Sequence, residues 1–426
     1  MTDVDQLAIS SPGLDGDDLV SWRNTFATIF ALPMTTPEEM EVARPHYGAQ
    51  RLTGFRDDGR WVATFRSWAG DSAVPGASLT GHAASGSATG TPATGTPATG
   101  APATGGTAAV STDVVTTAVV STELVSSVAV SPTHRRRGLL TRLMTDCLDR
   151  AAESGTVLVS LFASEAAIYG RYGFGVATHV QDLEVDTRAA RLRMPGSVGR
   201  DGIGWLRLLE RVPAGTQPDG PRLRAVHLDA DDRVDGYVRI RTEMRWSDGA
   251  PRNVATVDDL VGSSPAVVAA LWRFCLDLDL VSTLKAAHRG HGELLPLLSQ
   301  DPRAVRATHT LDGHWWRVLD VPALLAARSW CAPGQVVLEV LDPGGPAQGR
   351  WLLDVADDGT AQVSTTTRTA DLTLPVQTLP AVATGVLGLL PLLAAGRLDE
   401  HTPGSARRLH VMARVEPVAL GTVQGF

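Results

Sequence analysis

Three consecutive arginines and a glycine, Arg135-Arg136-Arg137-Gly138, separate the β-branched run Val128-Ala129-Val130 from an amphipathic segment. In that segment, Leu139–Glu153, the apolar residues Leu139, Leu140, Leu143, Met144, Cys147 and Leu148 recur at helical spacing. Where a strand turns into a helix, the first four helical N–H groups lack internal partners and sit at the positive end of the dipole. Glycine in such a turn lets a phosphate approach the main chain closely, and arginines add charge-assisted bonds. The pattern suits a diphosphate held more by backbone than by side chains; a solvated basic helix start is the alternative for the same residues. Further on, Ser164-Glu165-Ala166-Ala167-Ile168-Tyr169-Gly170-Arg171-Tyr172-Gly173-Phe174-Gly175 is dense in Gly and Tyr. A phenol, with an ordinary pKa of ~10, is protonated at neutral pH and can donate to a departing anion. Tyr169 and Tyr172 both qualify on chemistry alone. His134, next to the arginines, is a candidate base, although solvation in a loop is the expected role. Glu38, Glu39 and Glu41 could line an amine site but are equally explained as charges near a helix start.

The elements that must position these groups follow from periodicity. Leu19–Phe30 and the segment opened by Pro37 read as helices, and Arg51–Phe55 and Arg60–Trp68 as strands flanking an Asp57-Asp58-Gly59 hairpin turn. Gly76–Gly106 is rich in Ala, Thr, Gly and Pro, with the near-repeat TGTPA-TGTPA-TGAPA, and cannot bury enough apolar surface to offset its ordering entropy. Val110–Val130 reads as one or two strands, Thr156–Phe162 as a buried strand, Ala166–Tyr172 as a short helix and Thr178–Val185 as a further strand. Later come Arg222–Leu228, Tyr237–Trp246, Ala266–Cys275 and Leu278–Leu284, in strand and helix signals. A last block, starting near Trp315–Val318 and Val321–Arg328, carries four strands, Gln335–Val340, Gly349–Val355, Gln362–Thr366 and Asp371–Pro375, followed by helical signals in Val376–Ala395.

Bulk properties narrow the function classes. A chain of 426 residues exceeds one ordinary core, so two or three domains are expected. A net charge of -8 argues against a nucleic-acid partner and suits cationic small molecules. Cys147, Cys275 and Cys331 are too few and scattered for a disulfide framework or a zinc site, so a reduced cytoplasmic setting and no metal are expected. No apolar run is long enough for a membrane span, and the acidic start MTDVDQLAIS lacks signal-peptide character.

Strand, Arg-x-x-Gly turn and amphipathic helix resemble the acetyl-coenzyme A cradle of the GNAT superfamily, with Leu140 in place of the usual small final residue. Together with Ser164–Gly175, VAVSPTHRRRGLL resembles the Eis (enhanced intracellular survival) family over Val125–Val185. LWRF at 271–274 and HWWRVLDVPALLAAR at 314–328 resemble that family's later segments. The resemblance implies an α+β fold in three parts: a GNAT mixed-sheet domain over 1–187 with a low-complexity disordered insertion at about 70–108, a degenerate GNAT-like domain over 188–307, and a sterol-carrier-like α+β domain over 308–426. It implies an acetyl-coenzyme A-dependent N-acetyltransferase acting directly on primary amines, aminoglycoside-like polyamines foremost, as in antibiotic resistance, and assembled as a homohexamer. Protein lysines or small polyamines are alternative acceptors, and the apolar run Val376–Ala395 raises a second possibility of apolar-ligand binding. The family places acetyl-coenzyme A contacts on Val128, Ala129, Val130, Arg136, Arg137, Gly138, Leu139, Leu140, Thr141, Ser164 and Glu165. It makes Tyr169 the general acid and the carboxylate of Phe426, the last residue of the sequence, the general base. Gln424 and Gly425 leave no acidic side chain beside that terminus, which implies a less anionic acceptor pocket.

Overall fold

The computed structural model describes residues 7–14, 16–78, 115–186, 222–247, 249–290, 293, 295–299, 301–385 and 387–414. The chain opens with β1 (Ile9–Ser10), α1 (Asp17–Ile29), α2 (Pro37–Gly48), β2 (Arg51–Asp57), β3 (Arg60–Ser78) and β4 (Val115–Val130). Then come α3 (Leu139–Glu153), β5 (Leu158–Phe162), α4 (Ala166–Tyr169) and β6 (Gly175–Val176). Asp58 and Gly59 take φ of 48° and 73°, the paired left-handed values of the two-residue hairpin turn read from the sequence. Thr36 caps α2 by accepting from the Glu39 N–H while the Glu39 carboxylate accepts from the Thr36 N–H, a reciprocal capping box. Glu41 pairs with Arg44. Glu39 and Glu41 are therefore spoken for by their own helix.

β3 runs past Trp68, where the sequence reading stopped it, so Gly70–Ser78 is strand rather than the start of the insertion. The cause is pairing: Gly70 faces Thr122, Val74 faces Ala118, and the Val74 side chain is fully buried. The repeat-bearing remainder, 79–114, lies outside the described residues.

The middle of the chain supplies β7 (His179–Asp186), β8 (Arg222–Leu228), β9 (Val234–Glu243), a small ribbon of β10 (Trp246–Ser247) and β11 (Ala250–Pro251), and β12 (Asn253–Gly262). It continues with α5 (Pro265–Leu276), β13 (Val281–Gly290), α6 (Leu295–Leu298), β14 (Val305–Asp312) and β15 (His314–Val318). The first sheet has the order β1-β2-β3-β4-β5-β15-β6 and the second β14-β7-β13-β12-β9-β8. Each contains three antiparallel strands, a crossover helix and a parallel strand: β2-β3-β4, α3, β5 in one, and β8-β9-β12, α5, β13 in the other. The middle unit thus repeats the first, a relation that local periodicity did not reveal. The two repeats exchange strands. β7 leaves the first segment to pair with β13, and β15 returns from beyond the second repeat to pair with β5 and β6. The sheets therefore interlock along the chain rather than dividing it at single boundaries.

The last unit comprises α7 (Val321–Ala327), β16 (Gly334–Leu341), β17 (Gly349–Val355), β18 (Ala361–Thr365), β19 (Leu372–Pro375), α8 (Leu379–Thr384), α9 (Leu389–Ala394), β20 (Asp399–Glu400) and α10 (Ser405–Ala413). Its sheet has five strands, order β18-β17-β16-β19-β20, one more than the sequence suggested. Within the apolar run 376–395, Val376, Leu379, Val382, Ala383 and Leu389 are packed core, continuous with Val74, Val120, Leu158, Trp316 and Val318 of the first sheet. The opposite face of that sheet, through Val125, Val159 and Leu161, packs on α3 by Leu139, Leu143, Met144 and Cys147. Burying each large aliphatic side chain of α3 contributes about 1.5–3 kcal/mol. The first sheet is thus held between α3 and the C-terminal unit. Among the described residues no helix is long and apolar enough to cross a membrane.

Candidate active site

β4 and β5 are parallel from Thr122↔Leu158 to Val125↔Leu161, and there the pairing ends. Two features drive the strands apart. Ser127 has φ 51° and inserts an extra residue opposite β3, a bulge fixed by the Thr64 hydroxyl donating to the Ser127 carbonyl at 2.9 Å. Meanwhile β5 follows β15 to its end, with Phe162 facing His314. Beyond the fork, Ala129 and Val130 keep their β3 partners Thr64 and Ala63 on one side, and Val128–Val130 open onto a cavity on the other.

The cavity occupies about 750 Å³. Its floor is the turn into α3, where Arg136 has φ 60° and Gly138, the N-cap, has φ 78° and makes no side-chain cap. A Cβ on Gly138 would meet nothing within 4 Å, so glycine is required by backbone conformation and not by crowding. The first helical bond runs from Arg142 N–H to Gly138 O at 3.0 Å, which leaves the preceding amides of α3 at the cavity.

The structure gathers Val128, Ala129, Val130, Arg136, Gly138, Leu139, Leu140, Thr141, Ser164, Glu165 and Tyr169 around this one space. Arg137 stands in the same turn but not in the wall. Phe426 lies outside the described residues. Arg135, read from the sequence only as part of the turn, also lines the cavity; sequence reasoning gave no site role to Ile29, Phe30 and Ala31 at the end of α1, nor to Ile168 and Arg171. The signal available for the arginines was charge beside the turn; nothing local linked α1 to it.

Tyr169 is 5% exposed, and its ring meets Phe174 edge-on at 6.1 Å. Burial pushes its phenol above the ordinary value, opposed by a hydrogen bond with Ser164 and reinforced by Glu165 and Tyr172. The group is therefore a neutral O–H donor at physiological pH. Tyr172 also reaches the cavity, but its hydroxyl lies 2.9 Å from Thr141 Oγ1, tying the tyrosine turn to α3. His134 is buried rather than solvated, contrary to expectation. Its Nε2 lies 3.0 Å from Asp57 Oδ2 and its Nδ1 2.8 Å from Thr133 Oγ1. Nε2 thus fastens the loop before the arginines to the β2–β3 hairpin, while Nδ1 is held within the loop itself.

Among the described residues the second repeat does not form this turn, for a visible reason. Only Ser263 and Ser264 separate β12 from α5, the Ser264 hydroxyl accepts from Val267 N–H at 3.3 Å, and Pro265 opens the helix. The helix start is capped by its own chain, and no glycine turn remains to admit an anion.

Sequence models described as acetyltransferase (GNAT) domain match residues 107–177 and 196–321, and a sterol carrier protein domain model matches 321–420. The chain is 34% identical over 429 residues to an uncharacterized N-acetyltransferase of Streptomyces griseus subsp. griseus, covering 90% of this chain and 92% of that protein. It is 30% identical over 320 residues to the N-acetyltransferase Eis of Mycobacterium tuberculosis, covering 66% of this chain and 75% of that protein. The crystal structure of Eis1 from Mycobacterium abscessus superposes with a TM-score of 0.69 at 26% identity, covering 99% and 98% of the two chains. The chain belongs to the Eis family. It is an Eis-type N-acetyltransferase of the GNAT superfamily, with two GNAT repeats and a sterol-carrier-like C-terminal unit. GNAT acetyltransferases use acetyl-coenzyme A, and the site fits it: the left-handed turn and open α3 start suit a diphosphate, while the forked strand gives an adjoining extended slot.

Proposed function

We propose that this Eis-family protein acetylates primary amines of small cationic molecules, aminoglycoside-like polyamines first, by direct transfer. The observation that carries the reading is that one cavity joins the Arg135–Thr141 turn to the buried hydroxyl-bearing Tyr169. Acetyl-coenzyme A supplies an activated acetyl thioester. The backbone of Arg136–Leu140 binds its diphosphate, with Arg136 and Arg137 adding charge. The freed edge of β4 at Val128–Val130 orients the pantetheine arm with main-chain amides. Tyr169 holds its proton on Oη and donates it at the leaving sulfur, which its raised pKa permits across the physiological range. Glu165 places a carboxylate in the wall, where an ammonium group is attracted. The general base is assigned, from family resemblance, to the carboxylate of Phe426. A homohexamer is carried over on the same basis, and a cytoplasmic setting follows from the few scattered cysteines.

The test is release of free thiol from acetyl-coenzyme A in the presence of kanamycin, spermidine and a lysine-containing peptide, assayed separately. Turnover with kanamycin or spermidine is expected; turnover with the peptide alone would move the reading to protein lysines, and none at all would end it. A protein extended beyond Phe426 should lose most activity while still binding coenzyme A. Light scattering reads the assembly state directly.

A further inference from the structure

The C-terminal unit touches the segment just after Tyr169 directly at Gly170 and Gly175, and reaches Gly173 through Arg317 of the first sheet. Gln377 Nε2 donates to the carbonyl of Gly170 at 3.0 Å, across 207 residues of sequence. That carbonyl closes the turn after α4 and also accepts from Gly173 N–H at 3.1 Å. At Gly175 the two backbones are in direct contact: a Cβ there would stand 1.8 Å from the Gln377 carbonyl oxygen. At Gly173, φ 84°, a Cβ would stand 2.7 Å from Arg317 Nε. Arg317 is in turn forked onto Asp342 at 2.9 and 2.8 Å, both buried, and Asp342 belongs to the C-terminal unit.

Gln377 itself has little freedom. It sits in a 3-10 turn, Val376–Thr378, whose flanking side chains are buried, and the Thr378 hydroxyl donates to Arg397 O at 3.0 Å. A rigid donor in one unit is thus aimed at the main chain one residue beyond the phenol of another.

We propose that Gln377 is a positioning residue for acetyl transfer, holding the Tyr169 turn against the cavity from the C-terminal unit. The proposal rests on the reading of Tyr169 as proton donor, and deepens it. It gives the sterol-carrier-like unit a part in the chemistry through a contact in the fold, separate from any role of Phe426. Without the bond, the turn after α4 gains freedom, water reaches the phenol, and the Oη position spreads relative to the turn at Gly138. Charged and titratable groups facing the same space are Glu165 and Tyr172 on the tyrosine segment, Arg171 beyond it, and His134, Arg135 and Arg136 from the β4–α3 connection.

The experiment compares Gln377→Met, which keeps length and neutrality but removes the N–H donor, with Gln377→His, whose neutral ring at alkaline pH restores a donor. Three quantities are read: kcat for kanamycin by thiol release, coenzyme A Kd by calorimetry, and the ultraviolet titration of Tyr169, isolated by subtracting Tyr169→Phe. Tyr172 acts on the Tyr169 phenol, so the subtraction is made in a Tyr172→Phe background. Expected for Gln377→Met is a kcat lower by about three- to tenfold, the worth of one hydrogen bond. Coenzyme A Kd should stay unchanged, the Tyr169 midpoint should move down toward ~10 as its shielding is lost, and Gln377→His should recover both. If kcat and the midpoint both stay at wild-type values, the proposal is overturned. It is equally overturned if kcat falls while the midpoint stays put and His restores nothing, because that is a merely structural effect. Should Gln377→Met not fold, Gln377→Leu, also neutral and without a donor, is judged by the same readings. Full kcat in Tyr169→Phe would sink the proton-donor reading instead, while the titration would still report whether Gln377 shields the phenol.

Discussion

Gly138 offers a quantitative test of the anion-binding turn. Its φ of 78° lies in the left-handed region, and a side chain there would find open space. Replacement therefore introduces a conformational cost without a clash, about 1–2 kcal/mol for an L-residue and more for a β-branched one. The turn of Gly138→Ala can escape that cost by relaxing to negative φ, but relaxation carries the amides at the start of α3 away from the cavity. Restoring them on binding costs the same 1–2 kcal/mol, so coenzyme A Kd should weaken by about 5- to 30-fold, at 1.36 kcal/mol per tenfold. Once bound, the turn is back in its active shape, so kcat at saturating acetyl-coenzyme A should be nearly unchanged. Gly138→Asn, which tolerates the left-handed region, should lose less, and Gly138→Val more. Calorimetric titration of coenzyme A into the three variants, with thermal melts beside it, checks the series. A Kd within twofold of wild type for Gly138→Val would refute the reasoning, because the diphosphate would then not depend on that backbone.

Other perturbations separate the remaining parts. Tyr169→Phe should lower kcat by about 10²-fold or more with coenzyme A affinity intact. Because burial raises the Tyr169 phenol, the alkaline limb of kcat in the wild type should lie above ~10 and not below it. Thr64→Val keeps the shape of a fully buried side chain but strips the Ser127 carbonyl of its donor; a loss of about 1–3 kcal/mol in a denaturant melt and weaker coenzyme A binding are expected as the fork closes. Burial holds His314 at about 4, below its ordinary 6.5, so the folded state favours the neutral ring. Its contribution is fully present above pH ~6.5 and is lost as pH falls toward 4. The loss is at most about 3 kcal/mol at 1.36 kcal/mol per pH unit. Stability of His314→Phe across that window should be flatter than wild type in urea melts.

The turn, its helix and the tyrosine segment were legible because each is local. Leu139–Glu153 has one apolar stripe, an unambiguous glycine before it and a β-branched strand before that, and its ends fall where the spacing put them. What escaped depends on distant partners. Asn253–Gly262 was not read as a strand because Asp258 and Asp259 interrupt it. In the fold Asp258 receives Arg241 Nε at 2.6 Å, and Asp259 accepts the Tyr237 hydroxyl, so both acids find partners on the neighbouring strand. Ser405–Ala413 was overlooked although Ala406, Leu409 and Met412 form a buried stripe, since two arginines and a histidine dilute its short pattern. The exchange of β7 and β15 leaves no trace in periodicity at all, because either strand has the same local signature in either sheet. For the site, Val128–Val130 could be named from sequence, but the bulge that opens them depends on Thr64, far back in β3.

The most direct measurement is a crystal structure with coenzyme A bound. The diphosphate is expected on the main-chain N–H groups of Gly138, Leu139 and Leu140, the pantetheine along Val128–Val130, and the sulfur facing Tyr169 Oη. A diphosphate bound elsewhere, with the Arg135–Thr141 turn unengaged, would contradict this placement.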